Sequence, residues 1–121
     1  MLHVVPHGYG RYLLAALLGS SLLFSGLSLA ETEPTTGQML AFTTEQGNCL
    51  ACHHIPGGSQ MGDIGPALEN MRARFPDRTR LYRQIWDASA FNPETLMPPY
   101  GRHEILSPTE IDAIIDFLYR H

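Results

Sequence analysis

Cys49, Cys52 and His53 place two thiols and an imidazole within five residues. Cys49-Leu50-Ala51-Cys52-His53 is a C-x-x-C-H motif, the pattern of c-type haem attachment. The order suits that chemistry. Two thiols can form thioethers with the two vinyl groups on one porphyrin edge, and the next residue can set an imidazole under the iron. Two intervening residues let a single tight helical turn span the vinyl separation. Three other chemistries use the same residue types. A disulfide is the ordinary fate of two cysteines in an oxidising compartment. A thioredoxin-type redox pair needs a βαβ setting, which the surrounding pattern lacks. A zinc site built on His53 or His54 needs a second ligand cluster, and the chain offers none. The motif therefore points to one covalent haem c, bonded to Cys49 and Cys52, with iron on His53.

An imidazole that binds iron through one nitrogen needs an acceptor for the other, which fixes ring orientation and ligand basicity. The opposite axial position has several candidates. Met61, Met71 and Met97 all follow the motif. Met71 lies at helical spacing between Leu68 and Phe75 and suits a core. Met61 lies in a glycine-rich loop. Met97 precedes Pro98-Pro99-Tyr100-Gly101, and prolines stiffen a loop that must present a weak thioether. His103 and an open position are the remaining alternatives. A thioether ligand favours reduced iron, which suits an electron acceptor and not catalysis at that iron.

Helices must carry these groups. Gln38 to Gln46 can form a first helix, with Gly47 as its stop. Ile55 to Gly65 is rich in glycine and reads as loop. Pro66 can open a short helix through Leu68 and Met71, ended by Pro76. Asp77 is a candidate N-cap for a helix from Arg78 to about Ser89, with Leu81, Ile85 and Ala88 on one stripe. Asn92 to Leu106 is irregular. Ser107-Pro108-Thr109-Glu110 is a capping box, and Ile111, Ile114, Ile115 and Leu118 follow at i, i+3, i+4 and i+7. No window alternates as a strand would. The expected fold class is all-α, with long loops that wrap something.

Several other residues invite chemistry but have simpler uses. His54 and His103 are expected at the surface or in structural roles. Arg72, Arg74, Arg78, Arg80 and Arg83 cluster, and could meet a haem propionate or an anionic partner; a solvated face with pairs such as Arg83 and Asp87 is favoured. Tyr82 and Trp86 are expected in the core or the haem wall.

The amino-terminal stretch differs in kind. Residues 12–30 are uncharged and end Ser28-Leu29-Ala30, as a cleavable export signal does. A retained membrane anchor is the alternative, since the stretch is almost long enough to span a bilayer. The expected organisation is a signal peptide over 1–30, a polar leader over 31–36 and one helical domain over 37–121. Residues 31–121 hold all twelve acidic residues, no lysine, and every arginine except Arg11. That balance excludes nucleic-acid binding as a leading class.

The arrangement resembles class I cytochromes c. The resemblance implies that the carbonyl of Pro66, in Gly65-Pro66-Ala67-Leu68, accepts the bond from His53, and that Met97 is the distal ligand. Longer segments resemble the SoxX family. These are Gly47 to Gly58, Gly65-Pro66-Ala67-Leu68, Arg74-Phe75-Pro76-Asp77-Arg78, Gln84-Ile85-Trp86-Asp87-Ala88, Met97 to His103, and Glu110-Ile111-Asp112. That resemblance implies a periplasmic monohaem subunit of a SoxAX complex, which oxidatively couples thiosulfate to a cysteine of the carrier SoxYZ. The chemistry would lie in a SoxA-like haem partner. This chain would be a non-catalytic subunit that accepts electrons and passes them to a soluble cytochrome, with no membrane contact after signal cleavage. The rivals are a free-standing periplasmic electron carrier and a haem sensor with an open distal site.

Overall fold

A computed structural model describes residues 35–121. The expected signal peptide, and residues 31–34 of the expected leader, lie outside the described residues. Those described form helices and loops with no strand, so the fold is all-α. Four α-helices occur: α1 (Thr36–Phe42), α2 (Met71–Arg74), α3 (Arg78–Trp86) and α4 (Pro108–Leu118). Short 3₁₀ turns cover Cys49–Ala51 and Ala88–Ala90. No helix here is long and apolar enough to cross a membrane.

Helix α4 is the element on which α1 and α3 pack. Its repeat of apolar residues buries Ile111, Ile114, Ile115, Phe117 and Leu118. The Ser107 side chain accepts from the Glu110 N–H at 3.3 Å. The Glu110 carboxylate accepts from the Ser107 N–H at 2.7 Å. Two otherwise unpaired donors are thus satisfied at the start of the helix.

Helix α1 crosses α4 at close range because Gly37 has no side chain. A Cβ there would stand 2.0 Å from the Ala113 carbonyl oxygen. The contact continues in Phe42 and Phe117, whose rings meet edge to face at 5.5 Å. Helix α1 begins at Thr36, two residues before the expected start, because the Thr35 hydroxyl caps the Gln38 N–H. It stops at Phe42, short of the expected Gln46. The Thr43 hydroxyl bonds back to the Met39 carbonyl at 2.7 Å, and a turn carries the chain to Gly47.

Helix α3 lies against α4 through Leu81 and Ile85, and Arg78 joins the pair outside the core. Its guanidinium reaches Asp112 at 3.0 Å and Asp116 at 2.7 Å. The Asp77 carboxylate caps α3 at the Thr79 N–H, as its position before the helix leads one to expect. The helix ends at Trp86, and Ala88–Ala90 continues as a separate 3₁₀ turn. Asp87 there breaks the register by accepting from the Ser89 N–H and hydroxyl. Pro66 does not open a helix. The chain stays irregular until Met71, and α2 is a single turn entered through a left-handed Asn70.

Hydrogen bonds from Ser107 hold the Glu110 carboxyl below its ordinary value of 4.5: the backbone N–H contributes most, then the hydroxyl. The ionised form is favoured in the folded chain, so this stabilisation is complete above 4.5 and is lost as pH falls through the lower folded value. Glu110→Gln is therefore expected to lower the melting temperature at pH 6. The gap to the native protein should narrow on acidification to pH 3, as measured by circular dichroism.

Candidate functional site

The motif turn is built by local bonds. The Cys52 and His53 N–H groups both donate to the Cys49 carbonyl, at 3.2 and 2.9 Å. Asn48 enters the turn in a left-handed conformation (φ 47°), which asparagine tolerates better than most side chains. The glycine-rich loop then folds back onto the turn. The Gly62 N–H donates to the Leu50 carbonyl at 2.8 Å, and that of Gly65 to the Cys52 carbonyl at 2.7 Å.

His53 Nδ1–H donates to the Pro66 carbonyl oxygen at 2.7 Å. With Nδ1 engaged, Nε2 is the nitrogen available as a ligand. Gly65 makes room for this geometry: a Cβ there would lie 2.3 Å from the His53 ring.

Two cavities share His53, Leu68, Ile85, Met97 and Leu118 and form one cleft. Cys49 and Cys52 line one end with Tyr100, and Arg74 and Gln84 line the other. The walls between are largely aliphatic. Cys49, Cys52, His53 and Met97 are therefore brought to one cleft, and Pro66 lines it too. Both cysteines are free thiols. Burial pushes the Cys49 thiol up to about 11, a backbone hydrogen bond opposes this, and Cys52 adds to it. A thiol redox pair needs the opposite shift, toward thiolate. Among the described residues, no cluster of three or more His, Cys, Asp or Glu could hold a metal ion, so a zinc site would lack its further ligands.

The residues fit a covalent haem. Cys49 and Cys52 would carry the thioethers, His53 Nε2 would ligate the iron, and the Met97 sulfur is the thioether that lines both cavities. A haem in this cleft supplies reversible one-electron chemistry at iron. The chain itself lines the cleft with aliphatic side chains and fixes the imidazole. Of the other methionines, Met71 lines the second cavity only and Met61 lines neither. The Met61 sulfur accepts from the Ile55 N–H at 3.2 Å, and Met71 is buried in the core. His54 is exposed and lies 3.3 Å from Glu69, and His103 is exposed.

Arg72, Arg74, Arg80 and Arg83 of the arginine cluster are exposed, as expected of a solvated face. Arg72 lies over the Tyr119 ring and Arg83 over the Phe91 ring, and Arg74 reaches the Ala67 carbonyl. The expected Arg83–Asp87 pair does not form. Asp87 instead pairs with Arg102 at 3.0 Å, because Asp87 leaves the helix where Arg102 passes. Trp86 and Tyr82 stack at 5.8 Å, half-buried against the core.

Sequence reasoning passed over Tyr100. Its hydroxyl donates to the Gly47 carbonyl at 2.5 Å in a buried setting, joining the methionine loop to the segment before the motif. The available signal was a tyrosine between two prolines and a glycine, in a loop otherwise poor in aromatics.

A family model described as cytochrome C oxidase, cbb3-type, subunit III matches residues 33–118. An "Uncharacterized lipoprotein" of Aquifex aeolicus (strain VF5) is 32% identical over 77 residues, covering 63% of this chain and 37% of that protein. The chain thus aligns with little more than a third of that relative's length.

Gly65→Ala forces a methyl group against the imidazole. We expect severalfold less haem incorporated per chain on maturation, measured as haem absorbance against protein mass. The helical content of the protein should be nearly unchanged.

Proposed function

The chain belongs to the cytochrome C oxidase, cbb3-type, subunit III family, and within it we propose a monohaem electron-transfer protein with His53 and Met97 as axial ligands. Family membership implies a c-type cytochrome and haem c. The observation that carries the finer reading is the cleft itself. One imidazole is fixed by the Pro66 carbonyl, and one thioether is presented by a proline-stiffened loop across aliphatic walls. With His53 and Met97 both serving as ligands, a haem held here would supply electron exchange and would leave no position for a substrate.

We further propose that this protein is the electron-accepting subunit of a SoxAX-type complex in the periplasm, the thiosulfate chemistry residing in its partner. Three features support that reading. The segments that resemble SoxX are coupled in space: the Gly101 and Arg102 N–H groups donate to the Trp86 carbonyl at 3.1 and 3.2 Å, and Arg102 pairs with Asp87. Ile64 and Leu96 are 66% and 80% exposed and share a groove with Cys52, which supplies apolar surface for a partner at the lip of the cleft. The uncharged stretch ending at Ala30 favours export, as does the word lipoprotein in the name of the Aquifex relative.

Two measurements test these proposals. Met97→Ala is expected to abolish the weak near-infrared sulfur–iron band of the ferric protein and to lower its reduction potential. An unchanged band would remove Met97 as the ligand. Co-expression with a SoxA-like haem protein from the same genome is expected to yield a complex, and Leu96→Asn is expected to weaken it without altering the absorbance spectrum. A monomer under those conditions would favour a free-standing carrier.

A further inference from the structure

The loop that carries Met97 has little regular structure of its own, yet two side chains fasten it to the segments before the motif and after α3. Tyr100 stands three residues after Met97. Its ring is only 8% exposed, and its hydroxyl is bonded to the Gly47 carbonyl, fifty-three positions away along the chain. Gly47 is not free to yield. Its N–H donates to the Leu40 carbonyl in α1 at 2.9 Å, and a Cβ there would stand 2.7 Å from that same oxygen. Tyr100 thus reaches from the distal loop to a backbone point two residues before Cys49. Asn48, Cys49 and Tyr100 line the same end of the cleft.

The second fastening lies on the other side. Arg102 pairs with Asp87 at 3.0 Å, and the carboxylate is held in turn by the Ser89 hydroxyl. The loop backbone sits on Trp86. Gly101 has to be glycine, because a Cβ there would lie 2.1 Å from the indole ring. The Tyr100 carbonyl accepts from the Ile105 and Leu106 N–H groups, at 2.9 and 3.1 Å, and so ties the loop's exit to the start of α4.

We infer that Tyr100 and Arg102 are positioning residues that clamp the Met97 loop between the motif segment and the end of α3, and so limit how far the thioether can retreat from the cleft. The inference rests on the proposed His53 and Met97 ligation. Thioether sulfur is a weak ligand, and its occupancy depends on how little the loop can retreat. A hydroxyl bonded to a backbone carbonyl on the proximal side fixes that limit directly, and the Asp87–Arg102 pair fixes the loop's far end. Neither side chain need touch the iron.

The test is the rate at which cyanide displaces the sulfur from the matured ferric protein, a rate limited by methionine release. Tyr100→Phe keeps the ring and removes only the hydroxyl. It is expected to raise that rate about fivefold, the size expected for loss of one buried hydrogen bond. It should also lower the pH at which the sulfur–iron band disappears. Arg102→Ala, at a half-exposed pair, is expected to give about a twofold rise. Helical circular dichroism and the absorbance of the reduced protein should match those of the native form in both. A merely structural role would lower the urea midpoint and leave the cyanide rate unmoved, and that result overturns the inference. If Tyr100→Phe fails to mature, Arg102→Ala decides alone, and an unchanged rate there is equally fatal. A native protein lacking the sulfur–iron band would overturn the ligation and this inference together. A native band with unmoved variants overturns the inference only.

Discussion

The hydrogen bond from His53 Nδ1–H to the Pro66 carbonyl is the constraint on which the site depends. An imidazole with both nitrogens free can rotate and exchange tautomers, and neither edge is then assigned to a ligand role. Tying Nδ1 to a backbone oxygen assigns Nε2 to the cleft and increases its basicity. That oxygen is well placed because proline restricts its own backbone, and because Gly65 lets the chain pass against the ring. The loop from Ile55 to Gly65 has little secondary structure, yet main-chain bonds pin it to the motif turn at Leu50 and Cys52. Its function is to bring Pro66 to His53.

The remaining architecture holds two irregular segments apart around an aliphatic gap. Helix α4 supplies Ile114 and Leu118 to that gap and supports α1 on one side and α3 on the other. Removing aliphatic surface from water favours closing such a gap, so a chain of this size needs something to fill it. A porphyrin face would do so, and the thiols at one end would anchor it. Cofactor binding and folding are therefore expected to reinforce one another.

Much of this was legible in the sequence because it depends on local spacing. The capping box at Ser107 and Glu110, the Asp77 cap and the apolar stripe of α4 are short-range patterns with one physical solution, and each is present as expected. The irregular stretches from Ile55 to Gly65 and from Asn92 to Leu106 are legible in glycine and proline content, but residues 66–70, expected to open a helix, are irregular as well. The bounds of α1 and α3 were less legible. They are set by the Thr35 hydroxyl and the Asp87 carboxylate competing for backbone groups, and the outcome depends on tertiary neighbours. The Arg83–Asp87 pair was a helical expectation that lapsed once Asp87 left the helix to meet Arg102. Tyr100 was hidden for the same reason: its partner carbonyl at Gly47 is adjacent only after folding. The cleft was not visible as such, since its walls come from five separate segments: the motif turn, residues 66–75, α3, the methionine loop and α4.

Covalent attachment of the cofactor is the property from which the ligand set and electron transfer follow, and it can be read directly. Protein matured in an export-competent cell should be denatured, extracted with acid acetone and examined for haem absorbance on the polypeptide. Retention of the haem by the native chain, with release from a Cys49→Ser, Cys52→Ser double variant, is the predicted result. Haem that extracts freely from the native chain, or a chain that carries none, would contradict a c-type site at Cys49, Cys52 and His53.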